Sequence, residues 1–463
     1  MQKRKIFLLA TSGLLLAVFL FFIFYSLFFV KQTLRTAQDY FANLLAVEQQ
    51  AGNVENFRRK VNQFDSLASI VSKKTNSPKI TRFAGFIHLL KQHLTGKHKY
   101  MLVFQNSEEI RATGGFMGSF ALLELNEGRI KELNFYDIYD ADGQFELQVE
   151  APAGVKEYLS SGEGHRLPDA NWHPDFPSSG QKIIKFMDES GFKNIDGVVA
   201  INLETVEKLL DIVAGVYLPD YGMTITSDNF YSVARADRET YFSGSKAKKD
   251  FLKNLFNNLK IKLSQLNSDQ QKELLQSLIH ELKRKNLQFY SKNPDIQKNF
   301  EQLKIAGQLA TTNYQLLYLV ESNVGINKAN KNISREVKID LDQGSDLKIL
   351  FSNKNQNLDY INYQRLISNP ESEVQNIKIN NESLEAWNEE IITNSKGEKF
   401  KQIGFLAPVP ANKTSTVQIQ LLSSNSQLPI AIYKQPGLTP TPYTIINKKE
   451  IQSFVLEKDL IIN

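Results

Sequence analysis

The sequence predicts a mixed α/β domain followed by a β-sandwich, both carried behind one membrane-crossing helix. Three observations predict this. An uncharged apolar run fills residues 6–30, short apolar strands alternate with amphipathic helices over residues 99–325, and a period-two apolar pattern takes over in residues 326–463.

The run from Ile6 to Val30 contains no charged side chain. At 1.5 Å per helical residue it reaches roughly 37 Å, enough to cross a hydrocarbon core of about 30 Å with some tilt. A lone span in lipid must satisfy its backbone internally, so it is read as a helix. Lys3, Arg4 and Lys5 precede it, which favours residues 1–5 as a cytoplasmic tail and the bulk of the chain outside. A cleaved signal peptide is the rival. It would need a shorter apolar core and a small-residue cleavage site, whereas this run ends in Phe28, Phe29 and Val30. The expectation is therefore a single-pass anchor with an N-terminus inside.

The chain has no cysteine. Disulfides, thiol nucleophiles and zinc–thiolate or iron–sulfur sites are excluded, and an exterior domain must rely on packed cores. A net charge of +5 over 463 residues is too slight to suggest nucleic-acid binding.

Residues 31–98 read as a helical stalk or hairpin. Val54, Phe57, Val61, Phe64, Ala68 and Val71 form one apolar stripe, Asn76-Ser77-Pro78 breaks it, and a further helix runs from Ile80 to Leu94. The α/β domain opens with a strand at Tyr100–Gln105. Two more strands, Phe120–Leu125 and Arg129–Tyr136, meet at an Asn126-Glu127-Gly128 turn. Residues 137–180 are loop-rich, and Gln181–Ser190 is helical. A buried strand at Gly197–Asn202 leads into an amphipathic helix marked by Leu203, Val206, Leu209, Leu210 and Val213. Lys246–Leu266 is a helix, and Ser268-x-x-Gln271 reads as a capping box for the next one. Leu287–Tyr290 is a strand, Asn293-Pro294 starts a helix over Asp295–Ile305, and Leu316–Glu321 closes the domain as a strand. Beyond it, Val337, Ile339 and Leu341 alternate with polar residues, as do Val417, Ile419 and Leu421, which is the pattern of a sandwich.

Four clusters carry chemistry-bearing residues. The Gly-rich segment Arg111-Ala-Thr-Gly-Gly-Phe-Met-Gly-Ser119 could cradle phosphate through backbone N–H groups with Arg111 beside it. It lacks the Gly-Lys-Ser/Thr of a P-loop and is followed by a strand, so a tight turn with close backbone approach accounts for the pattern better. Asp137, Asp140 and Asp142 could hold a hard divalent cation, or form a solvated acidic loop. His165, Asp169, His173 and Asp175 have metal-ligand chemistry but no standard spacing, in a Pro-rich loop where polar residues are expected anyway. Arg235, Arg238, Lys246, Lys248 and Lys249 could face a pyrophosphate or lipid headgroup, or be the solvated face of a helix.

Several motifs resemble those of the bacterial domain-of-unknown-function family numbered 4012. They are Gln105–Ser119, Asp169-Ala-Asn-Trp-His-Pro-Asp-Phe-Pro177, Asp196–Asn202 with Leu209–Val216, Asn323–Lys328 and Lys434-Gln-Pro-Gly437, a resemblance spread over residues 99–440. Its α/β region is in turn distantly similar to the LytR-CpsA-Psr phosphotransferases. Those enzymes are anchored outside the cell and move glycopolymers from a polyprenyl-pyrophosphate carrier to the wall with arginines, aspartates and magnesium. The resemblance implies a LytR-CpsA-Psr-like mixed sheet and a cell-envelope protein that binds, and by analogy transfers, a phosphorylated or lipid-linked glycopolymer. It implies Arg111, Arg235 and Arg238 as phosphate-holding catalytic residues. Thr113, Gly114, Gly115, Asp169, Trp172 and Asp175 would contact ligand, and Asp137 and Asp140 would hold magnesium. Departures accompany it: Thr113 stands where an aspartate is expected, and the later arginines are thinned to Arg235 and Arg238. The alternative is a non-enzymatic surface scaffold or adhesion protein whose sandwich binds a partner or envelope polymer.

Overall fold

The computed structural model describes residues 54–75, 77–239, 245–263, 265–310, 314–341, 345–422, 428–447 and 450–462. The span expected at residues 6–30 and the start of the helical lead-in lie outside these. No described helix is long and apolar enough to cross a membrane.

Two helices come first, α1 (Val54–Thr75) and α2 (Pro78–His93). They are tied together by Asp65, which takes Lys91 at 2.8 Å. They are also tied to the α/β region. Arg58 bridges to Glu127 at 2.8 Å, and Phe86, Ile87, Leu89 and Leu90 are buried in the same core as Phe300 and Leu303. Buried His93 meets the hydroxyl of Tyr100 at 2.6 Å. The lead-in is therefore part of the α/β core.

The first sheet has five strands: β1 (Lys97–Asn106), β2 (Phe116–Asn126), β3 (Arg129–Asp137), β4 (Gly197–Asn202) and β7 (Leu287–Ser291). Their order is β3-β2-β1-β4-β7, and only β1 and β4 run parallel. The period of two shows directly. Met101 and Val103 pack on one face with Val198 and Ala200, while Tyr100 and Leu102 join the core on the other. β2 and β3 turn at Glu127 and Gly128, both at positive φ (54° and 73°), a two-residue hairpin of the type whose twist suits the strands. Asp137 opens a short helix, α3 (Ile138–Asp142), and a single turn, α4 (Val155–Tyr158), comes after it. One face is then covered by α5 (Phe176–Glu189). The other carries α6 (Leu203–Ile212), a small hairpin of β5 (Val216–Leu218) and β6 (Met223–Ile225), then α7 (Ser227–Glu239), α8 (Ser245–Leu263), α9 (Ser268–Lys283) and α10 (Pro294–Gln302).

Two local expectations shift. The capping box of α9 is Asn267 with Gln270, one residue before the Ser268–Gln271 pair, so Ser268 is the first helical residue. The strand expected to close the α/β domain belongs elsewhere. As β8 (Gln315–Asn323) it pairs with β11 (Tyr360–Ser368) and with β17 (Ile430–Tyr433), so the sandwich begins near residue 315 and not at 326. An apolar strand pattern reports burial, not which sheet supplies it.

The sandwich strands between these are β9 (Ile333–Asp340), β10 (Ser345–Asn353), β12 (Glu373–Ile379), β13 (Glu382–Ser383), β14 (Asn388–Thr393), β15 (Lys399–Val409) and β16 (Thr414–Leu422). The last three are β18 (Thr441–Asn447), β19 (Glu450–Leu456) and β20 (Leu460–Ile462). A seven-stranded sheet, β13-β12-β16-β10-β9-β18-β19, faces a six-stranded one, β14-β15-β11-β8-β17-β20. Val337, Ile339, Leu347, Ile349, Val417 and Ile419 form its core with Leu366 and Ile403 from the other sheet.

Candidate functional site

The Gly-rich segment joins β1 to β2 and is buried. Arg111 is 1% exposed. Its guanidinium donates to Asp169 (Nε, 3.0 Å), to Glu109 (3.1 Å) and to the carbonyls of Ile110 (3.2 Å) and Asn323 (2.7 Å). Burial alone would lower its proton affinity, but Asp169 and Glu109 outweigh burial and hold it above the usual value. Asn323 is the last residue of β8, and its own N–H donates back to the carbonyl of Ile110. Arg111 thus fastens the α/β region to the sandwich.

The neighbouring residues are packed as tightly. The Thr113 hydroxyl accepts from Gln105 (2.8 Å) and Asn171 (3.0 Å), and its carbonyl accepts from Gln288 (2.7 Å). At Gly114, φ is +132° and a Cβ would collide with the side chain of Asn202; at Gly115 it would strike the carbonyl of Asn106. Gly437 packs against the carbonyl of Gly114 from the sandwich side. Gly115 serves close backbone approach within the α/β region, and Gly114 with Gly437 serves it between the two regions. Trp172 lies under the guanidinium of Arg365 at 4.3 Å, and its carbonyl accepts from that arginine. Asp175 caps α5 through the N–H of Ser178 and also accepts from the backbones of Leu309 and Ser395. All six residues expected to contact ligand therefore have protein partners or neighbours at the junction.

Asp137 and Asp140 close the first turn of α3 as a reciprocal capping box: Asp137 accepts from the N–H of Tyr139, and Asp140 accepts from the N–H of Asp137. Among the described residues no three acidic or imidazole groups gather to hold a metal. Both carboxylates are engaged in capping α3. His165 meets the carbonyl of Asp169, and His173 accepts from the N–H of Asp175. Arg235 and Arg238 lie on α7, but their side chains fall outside the described residues, as do those of Lys246, Lys248 and Lys249.

A pair of cavities opens beside this junction. One, about 250 Å³, lies between the sheet and helices α6, α7 and α8; Phe104, Phe135, Ile201, Phe230, Leu252 and Phe256 make it apolar. The other, about 470 Å³, is polar and is lined by Arg111, Tyr139, Asp142, Glu163, Arg166 and Asp169 among others. Glu109 and Phe116 line both. Burial pushes the Glu109 carboxyl up, against the opposing pull of Arg111. Lys328, from the loop after β8, reaches the apolar cavity and stacks on Tyr231 at 4.8 Å.

The sequence motifs include Glu109 but give it no role, and they give no sign of Phe116, Tyr139, Tyr231 or Arg166 as cavity residues. The amphipathic stripe containing Val206 and Leu209 is legible. That these residues face a gap is not, because periodicity shows which face is apolar and not how closely it is covered.

Residues 95–238 match the family described as "Protein of unknown function (DUF4012)". The motifs at 105–119, 169–177, 196–202 and 209–216 fall inside that span; those at 323–328 and 434–437 lie beyond it. No curated protein matches. Among solved structures, the Lin1025 protein from Listeria innocua aligns at 12% identity over 45% of this chain and 80% of its own, with a TM-score of 0.26. B. subtilis TagV aligns at 12% over 46% and 80%, with a TM-score of 0.27. The transcriptional regulator yvhJ from Bacillus subtilis aligns at 11% over 45% and 98%, with a TM-score of 0.22. Superpositions this loose assign neither fold nor site.

Proposed function

We propose that this chain binds an amphiphile, with a hydrocarbon tail in the apolar cavity and a polar head in the adjoining one. The ligand class is a lipid-linked glycopolymer of the cell envelope. The observation that carries the reading is adjacency: Glu109 and Phe116 line both cavities, which places an apolar and a polar opening side by side, the arrangement an amphiphile needs. The linkage between tail and head would then sit beside Glu109, with Lys328 on the apolar side and Arg111 on the polar side. The resemblance to family 4012 and its distant similarity to envelope phosphotransferases supply the envelope context. An anchor at residues 6–30 would hold the cavities near the outer leaflet, where such a lipid is found.

Binding is favoured over transfer by Arg111. A phosphate would have to draw that guanidinium away from Glu109 and Asp169, and each carboxylate would lose its charge partner in a buried place. The test uses the full chain in nanodiscs with farnesol as the probe. Ala234, on α7, lines the apolar cavity. Ala234→Trp should fill it and weaken farnesol at least about tenfold, since each lost methylene contact removes about 0.8 kcal/mol. Absent binding, or equal affinity in the variant, would sink the reading.

A further inference from the structure

The polar cavity carries an unusual charge pattern. Its wall holds the carboxylates of Glu109, Asp142, Glu163 and Asp169 against only two guanidiniums, Arg111 and Arg166. Both guanidiniums are already engaged. Arg111 bridges Glu109 and Asp169, while Arg166 pairs with Asp142 at 3.3 Å and donates to the carbonyls of Asp142 (2.7 Å) and Phe145 (3.2 Å). An anionic group entering here meets an acidic surplus. A hydroxyl-bearing group meets carboxylate oxygens, which accept several hydrogen bonds each and can take its donors beside the arginines.

The same wall offers apolar surface. Tyr139, on α3, is 51% exposed, and Ile326, on the loop after β8, is 65% exposed; both line the cavity. Ile326 holds φ at 51°, where a β-branched residue is an outlier, and Ser161 in the same wall also has a positive φ, 46°. Such conformations persist where surrounding structure enforces them, and they gather at ligand clamps.

We propose that the polar cavity is a subsite for one uncharged, hydroxyl-bearing sugar ring, whose apolar face rests on Tyr139 and Ile326, and that it rejects anionic rings and free phosphate. This rests on the reading of the cavity as the head-group end of the ligand. It goes beyond that reading by fixing the head's charge.

The test titrates the full chain with methyl glucoside, glucuronate and inorganic phosphate by ligand-observed NMR, with farnesol run in parallel. Methyl glucoside should bind at least about tenfold more tightly than glucuronate, since like charges are repelled from such a wall. Glu163→Gln, an exposed rim change, should narrow that gap. Tyr139→Ala and Ile326→Gly should each weaken methyl glucoside severalfold and leave farnesol unchanged. Glucuronate or phosphate binding as well as methyl glucoside would overturn the proposal, as would farnesol binding with no sugar binding. Sugar binding without farnesol binding would instead support this subsite and remove the lipid reading.

Discussion

Thr113 and Phe116 stand three positions apart, yet they belong to two different kinds of place. Around Thr113 and Gly114 the Thr113 hydroxyl and carbonyl accept hydrogen bonds from within the protein, and a Cβ added at Gly114 would collide with Asn202. Around Phe116 and Glu109 the packing stops, and two cavities meet. The contrast teaches that the conspicuous part of the motif is a weld. Arg111 and Gly114 hold the α/β region to the sandwich, and the opening lies at the weld's edge.

The largest effect should come from breaking the weld. Arg111→Ala strands Glu109 and Asp169 without their shared cation and should cost about 3–5 kcal/mol in chemical denaturation. If its stability matched the parent's, the weld would be no weld. Gly114→Ala should come next at about 2 kcal/mol, from its positive φ and the collision with Asn202. Ala234→Trp, on the open side, should change stability by less than about 1 kcal/mol while abolishing most farnesol binding, since it grows into empty space. Equal stability losses for Gly114→Ala and Ala234→Trp would erase the contrast.

The subtlest effect concerns Lys434, whose amine is buried and donates to the carbonyls of Arg284 and Gln435. Burial, reinforced by Arg284 and Lys285, pushes it down from 10.5 to about 7. Between those values the unfolded chain holds a proton that the folded chain has released. Stability should therefore rise with pH across that window, and the full penalty should remain below about 7. Lys434→Met should lack this contribution. Denaturant midpoints measured from pH 7 to 10 should climb less in the variant than in the parent; parallel curves would place Lys434 in water.

Much of the fold was legible because it rests on local rules. Met101 and Val103 against Tyr100 and Leu102 announce a strand buried on both faces, and Asn293-Pro294 announces the start of α10. The limits are equally physical. Leu316–Glu321 reads as a strand in any sheet, and its partners at Tyr360–Ser368 are set by tertiary packing. The role of Arg111 depends on Asn323, 212 residues away, which no spacing rule connects to it. Asp137 and Asp140 cap α3 with the same carboxylate groups that a metal would use, so their capping role does not show in the sequence. The cavities were invisible because they are gaps between elements.

The central claim is that the apolar cavity beside Glu109 takes a hydrocarbon tail. A prenyl chain bearing a photoreactive group, crosslinked to the full chain in nanodiscs and mapped by mass spectrometry, tests it most directly. Labelling is expected on Phe230, Leu252 or Phe256, competed away by farnesol and lost in Ala234→Trp. Labelling confined to the sandwich surface, or unchanged in that variant, would contradict it.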